Sequence, residues 1–236
     1  MKERPIIFNA EMVRAVLNGS KTQTRRIMKV QPESNQFGLL RIADSTKRSD
    51  IGKYHWAESN ATGTHARSKL FACPHGAVGD RLWVRETWSD VNSEGCPAVA
   101  YRADSDTRLL AEIETFRDED GVLNTADPRL DKYWFAAWSG DLFSGTEGSW
   151  RPSIHMPRWA SRITLEITGV RVERLQAITL GDICKEFGCG LYDFRPATYG
   201  FQAWEELWKS IYGDDSFQAN PWVWVIEFKR VEGGEA

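Results

Sequence analysis

RPIIFNAEMVRAVLNGSKTQTRR, residues 4–26, reads as strand, helix, turn and strand in close succession. Arg4–Phe8 is a short apolar run of the kind that forms a strand. Asn9 can cap a helix, and Met12, Val13, Val16 and Leu17 follow at helical spacing. Asn18-Gly19 closes that helix, because Gly takes the left-handed backbone a helix end needs. The next ten residues, KTQTRRIMKV, alternate and carry Thr and Ile, which predicts a second strand. Lys21, Thr22, Thr24, Arg25, Arg26 and Lys29 crowd cations and hydroxyls directly behind the turn. Such a segment suits an anion site, an activated nucleophile or a solvated strand, and the residues alone leave all three open.

Further along, GDRLWVRETWSD (79–90) alternates as one strand, with Leu82, Val84, Glu86 and Trp88 on one face. PAVAYRAD (97–104) predicts another. MPRWASRITLEITGVRVERLQ (156–176) reads as two strand runs around Gly169. ITLGDICKEFG predicts a helix capped by Thr179 and closed near Gly188. GFQAWEELWKSIYG places Phe201, Trp204, Leu207, Trp208 and Ile211 along one side of a second helix. NPWVWVIEFKRV (220–231) predicts a strong final strand. Residues of about 31–70 and 105–150 lack periodicity and read as long insertions, and the tail 232–236 as disordered. Strands and helices do not alternate, so a parallel sheet is not expected. The fold class is α+β: one domain over 1–236, a small mixed barrel with flanking helices and two long insertions.

Composition excludes several functions. The net charge of −3 over 236 residues gives no global basic field for duplex DNA, although a local basic site remains open. No apolar run approaches the roughly 18 residues of a membrane span. MKERPIIFNAEM has acidic residues and no long apolar core, so it is not a signal peptide, and a cytoplasmic location is expected. The four cysteines (73, 96, 184 and 189) include no paired CxxC, so no metal and no cofactor are expected. Eleven tryptophans serve mostly as core, with some available as stacking platforms for bases.

RPIIFNAEMVRAVLNGSKTQTRR, GDRLWVRETW, MPRWASRITLEITGVRVERL and NPWVWVIEF, in that order, resemble the ASCH domain family of the PUA-like superfold. Within it the chain is similar to the large phage and prophage branch, some of whose members are labelled morphogenetic. The family mark Gly-x-Lys-x-x-x-x-Arg is met by Gly19, Lys21 and Arg26. The resemblance implies a PUA-like barrel with a cleft beside the Gly-x-Lys segment, in a protein of the bacterial host cytosol. It implies a partner that is RNA, single-stranded nucleic acid or a modified base or nucleoside. A small bacterial relative is an amidohydrolase that deacetylates acetylated cytidine through Lys, Thr and Glu. Those residues map here to Lys21, Thr24 and Glu186; the family usually has Glu-Gly where this chain has Glu186-Phe187-Gly188.

Three functions therefore stand at this stage: RNA or nucleotide binding, amidohydrolysis of an acylated cytidine, and a structural or assembly role in a phage particle. For hydrolysis, Thr24 needs a base, which Lys21 supplies if burial lowers its pKa. Three apart on a regular strand, the two residues face opposite ways and converge only if the chain turns between them. Glu186 would then orient Lys21, with Thr22 nearby and Arg25 or Arg26 holding an anion. Trp83 is a further candidate ligand contact. Glu86, a carboxylate on an apolar strand face, either pairs with Arg162 or reads a base edge. His155 and Arg158 either contact phosphate or base, or form an ordinary surface turn.

Overall fold

A computed structural model describes residues 1–34, 36–58 and 68–231. The opening segment folds as its pattern dictates. Strand β1 spans Glu3–Ile7, helix α1 spans Ala10–Leu17 and strand β2 spans Gln23–Ile27. The Asn9 side chain accepts from the Met12 amide, and Gly19 turns the chain out of α1 at φ +78°. Met12, Val13 and Val16 are buried, each contributing about 1.5–3 kcal/mol by removal from water.

The 31–70 region holds a hairpin, β3 (Phe37–Arg41) paired antiparallel with β4 (Tyr54–Glu58). Its Trp56 is buried in the main core against Phe71 and Trp222, so this segment supplies core rather than decoration. The expected strand over 79–90 is two strands in different sheets, β5 (Arg81–Arg85) and β6 (Trp88–Ser93). The break falls at Glu86-Thr87, where Arg162 takes the Glu86 carboxylate in two bonds of 2.9 Å. Alternation alone does not register that change of sheet. Strands β7 (Cys96–Tyr101) and β8 (Asp106–Leu109) complete an antiparallel sheet in the order β6-β7-β8, with short helix α2 (Ser139–Ser144) packed against it.

Strand β9 runs unbroken over Thr164–Arg174, so Gly169 is not the divider that the sequence reading made it. Its role is close approach: a Cβ there would lie 2.7 Å from a Glu227 carboxylate oxygen, beside the bulge at Glu227/Phe228. Helices α3 (Leu180–Phe187), α4 (Thr198–Tyr212) and α5 (Asp215–Gln218) then lead into β10 (Trp222–Arg230). Thr179 caps α3 and Gly188 closes it at φ +74°, as its sequence signals require.

The principal sheet has the order β1-β5-β9-β10-β2. The pair β1/β5 is parallel and the remaining pairs are antiparallel, so the architecture is α+β with a mixed sheet. The absence of β-α-β alternation did not exclude that one parallel pair, because β5 lies far along the chain from β1. Among the described residues no backbone ladder joins the edge strands β1 and β2 into a closed barrel. Strand β10 divides the cores by its period of two: Trp224, Ile226 and Phe228 face α1 and the hairpin, while Val223 and Val225 face α3 and α4. Among the described residues, no helix is long and apolar enough to cross a membrane. The 232–236 tail lies outside the described residues, as do residues 35 and 59–67.

One acid-sensitive joint follows from the packing. Burial, aided by Arg26 and Arg4, pushes the His75 imidazole down to about 4 from its ordinary value of 6.5. The unfolded chain therefore takes up this proton first, so the contribution is complete above pH 6.5 and is lost as the pH falls towards 4. His75→Gln should remove up to roughly 3 kcal/mol of that acid sensitivity. Urea midpoints measured across this interval check it, and parallel pH profiles for variant and parent would refute it.

Candidate functional site

The site begins at the turn after α1. The amides of Ser20 and Lys21 both donate to the Ala15 carbonyl at 2.9 Å, folding the chain back so that Lys21 meets the C-terminal turn of α3. There the Thr22 amide donates to the Lys185 carbonyl at 3.2 Å, and Lys21 Nζ donates to the Glu186 carbonyl at 2.5 Å. Both carbonyls lie at a helix end that lacks intrahelical donors and favours a cation. Gly188 makes the approach feasible: a Cβ on it would lie 2.4 Å from Ser20 Oγ and 2.8 Å from Ala15 Cβ, on a left-handed backbone.

Lys21 Nζ also donates to Glu186 Oε2 at 3.1 Å, and Arg25 Nη1 to Glu186 Oε1 at 3.1 Å. The Glu186 carboxylate is thus shared by two cations, and all three side chains are almost wholly buried. Beyond Arg25 the network runs to Glu173 and Asp182, then through Arg171 to Glu227. Desolvation lowers the Lys21 pKa from its ordinary value, opposed by the Glu186 charge and hydrogen bond. The Arg25 guanidinium also lies 5.8 Å from the Trp204 ring centre.

Thr24, Arg25, Arg26 and Glu186 line one narrow cavity of about 10 Å³, room for about one water molecule. Its walls are Met12 and the α4 side chains Trp204, Leu207, Trp208, Ile211 and Tyr212. Lys21 stands behind Glu186 rather than in the wall, and no hydrogen bond joins its Nζ to the Thr24 hydroxyl among the described residues. Thr24 is a β2 residue, whereas Lys21 precedes the strand in the turn, so the chain bends between them. Thr22 is exposed, tied down by backbone bonds alone to Lys185 and Phe228.

The other candidates fall elsewhere. Half-buried Arg26 donates to the Ile7 carbonyl at 2.8 Å and covers the Phe8 ring. Ile7 is the register partner of Arg85, which lies 4.7 Å over the ring of buried Trp83. Arg158 approaches the same ring at 5.9 Å and pairs with Glu3 at 3.0 Å. Arg26 of edge strand β2 thus reaches edge strand β1, and Arg85 and Arg158 share the Trp83 ring of β5. His155 is exposed at the end of a short 3-10 turn, Ser153–His155. Glu86 is spent on Arg162, which also holds Asp104 and Asp106. The four cysteines are free, and among the described residues no group of three or more His, Cys, Asp or Glu is placed to hold a metal ion.

Sequence alone does not register Glu173 or Asp182 as partners of Arg25, because neither spacing carries a local signal. Trp204 and Trp208 were legible as a helix face, but not as the wall of a pocket. Comparison of the chain with protein-family models, with curated proteins and with solved structures finds no match in any of the three.

Removing the Glu186 carboxylate leaves buried Lys21 with the Glu186 backbone carbonyl and no carboxylate, while Arg25 keeps Glu173 and Asp182, so Glu186→Ala should cost up to about 3–5 kcal/mol, the range for breaking a buried pair from one side. Glu173→Ala, at the wetter end of the network, should cost clearly less. Gly188→Ala should cost at least about 1–2 kcal/mol from its left-handed backbone alone, and more from the clash. Urea unfolding measures all three; equal losses for Glu186→Ala and Glu173→Ala would show that burial does not set the ranking.

Proposed function

We propose that this chain is an ASCH-like protein of the PUA-like superfold, and that it binds RNA or a modified base or nucleotide beside the Lys21 segment. The observation that supports the reading is the set of half-buried arginines, Arg26 reaching from β2 to β1 and Arg85 and Arg158 over the Trp83 ring, next to the small cavity bounded by Thr24, Arg25, Arg26 and Glu186. A half-buried guanidinium such as that of Arg26 suits a base edge or a phosphate, while Arg25 and Glu186, engaged with each other, hold the segment in place. Arg26, Arg85 and Arg158 together would give a phosphate backbone cationic contacts. On this reading the mixed sheet, with Arg26 of edge strand β2 bonded to Ile7 of edge strand β1, is the wall of the PUA-like barrel.

A second reading rests on the Lys21–Glu186 pair behind the pocket that Thr24 lines. Lys21 with its lowered pKa would take the Thr24 proton as the hydroxyl attacks the acyl carbon, the ammonium so formed, oriented by Glu186, would protonate the cytidine nitrogen as the C–N bond breaks, and water would then hydrolyse the Thr24 ester. Binding is preferred because Lys21 Nζ is directed to both the carbonyl and the carboxylate of Glu186 and away from Thr24.

A panel of short single-stranded RNAs, nucleosides and N-acylated cytidines, scored for retention and for turnover, tests the proposal. A retained base-bearing ligand is expected, weakened by about 1.5–3 kcal/mol in Arg26→Ala, the scale of a hydrogen bond to a charged group. Release of cytidine from acetylated cytidine, abolished in Thr24→Ala, would replace binding with hydrolysis. Silence in both assays would retire both readings.

A further inference from the structure

Residues 133–138 form a strap along the three-stranded sheet without regular secondary structure, with Phe135 in left-handed backbone at φ +46°, and their burial alternates. Tyr133, Phe135 and Ala137 turn inward, while Trp134, Ala136 and Trp138 turn outward. The inward rings belong to the second core, with Tyr133 set edge-on against Trp88 and Trp159. The outward tryptophans are left in water: Trp134 is 87% exposed and Trp138 52%.

The strap is not a loose loop. Buried Asp90 accepts from the Trp134 amide at 3.0 Å and the Phe135 amide at 3.3 Å through Oδ2, and from Arg151 Nε at 2.6 Å through Oδ1. The Asn92 amide donates to the Ala137 carbonyl at 2.8 Å. Two large rings are therefore presented on a backbone already fixed, which lowers the ordering cost of any contact they make. Trp is the residue type most enriched among the side chains that anchor protein interfaces.

Charge selects the partner. Between residues 105 and 150 there are ten acidic residues against four basic ones, an excess of six negative charges. The chain as a whole carries −3, so the remainder carries an excess of three positive charges. Glu112, Glu114, Glu119, Asp120, Asp131 and Glu147 are exposed. A segment of this sign repels a phosphate backbone and attracts Lys and Arg, whose cations also stack on indole faces. We propose that the Trp134–Trp138 face of the acidic 105–150 segment is a docking surface for a partner protein presenting a cluster of Lys and Arg side chains. The surface is separate from the Thr24–Glu186 pocket and does not depend on what that pocket binds.

The full chain should retain an immobilised Arg/Lys-rich peptide at low ionic strength, and should not retain a Glu-rich peptide of equal length. The double variant Trp134→Ala/Trp138→Ala should weaken that retention about tenfold or more with its thermal midpoint unchanged, because both rings are exposed. A paired charge change on α4, Glu205→Gln/Glu206→Gln, should leave retention as it is. Failure to bind the cationic peptide, or equal binding by the double variant, would overturn the proposal. So would a concentration-dependent self-association abolished by the double variant, which gives the face to a second copy of the chain. Retention of a single-stranded oligonucleotide lost in the same variant would overturn it as well.

Discussion

Glu186 shared between Lys21 and Arg25 is the contact on which the arrangement of this protein turns. It ties the turn after α1, the edge strand β2 and the end of α3 into one unit. A buried carboxylate is costly unless every lone pair is used, and here two cations use it. The cost of desolvation explains the neighbourhood: helix-end carbonyls for Lys21, further carboxylates for Arg25, and the Trp204 ring against the guanidinium. The polar cluster also fixes one arrangement of elements, since displacing α3 would strand Lys21 and Arg25 together.

The same unit shapes the pocket. Thr24 and Arg25 come from β2, Glu186 from α3, and the aromatic wall from α4. Strand β10 links them, because Val223 and Val225 pack against α3 and α4 while the strand pairs with β2. Apolar packing thus brings α4 over the polar floor, and the ion network sets the floor's register. The pocket is narrow because both contributions close it from opposite sides.

Charge is divided along the chain as well as paired locally. The 105–150 segment carries the acidic excess and the exposed tryptophans, whereas Arg85 and Arg158 gather at the Trp83 ring of β5. Asp90 has a role on the acidic side comparable to that of Glu186 in the pocket, as a buried carboxylate that converts a loop into a fixed platform. Glu86 with Arg162 is a third such centre, placed where the chain leaves one sheet for another. Three buried carboxylates, each matched to arginine, thereby organise three different junctions.

The sequence by itself determined the local elements. Asn9, Gly19, Thr179 and Gly188 act on the backbone within a few residues, so α1 and α3 were legible with their ends. The α+β class and the final strand were legible for the same reason, from short-range periodicity. The grouping of Lys21, Thr24 and Glu186 came from resemblance, not from spacing. Tertiary structure alone decided that Glu186 lies between Lys21 and Arg25, that Glu86 goes to Arg162, and that Trp56 enters the main core. It alone split residues 79–90 between two sheets and let β9 pass through Gly169 unbroken. Caps and hydrophobic period are written in neighbouring residues, whereas a buried charge is matched by whatever the completed fold brings within reach, 161 positions away for Arg25 and Glu186.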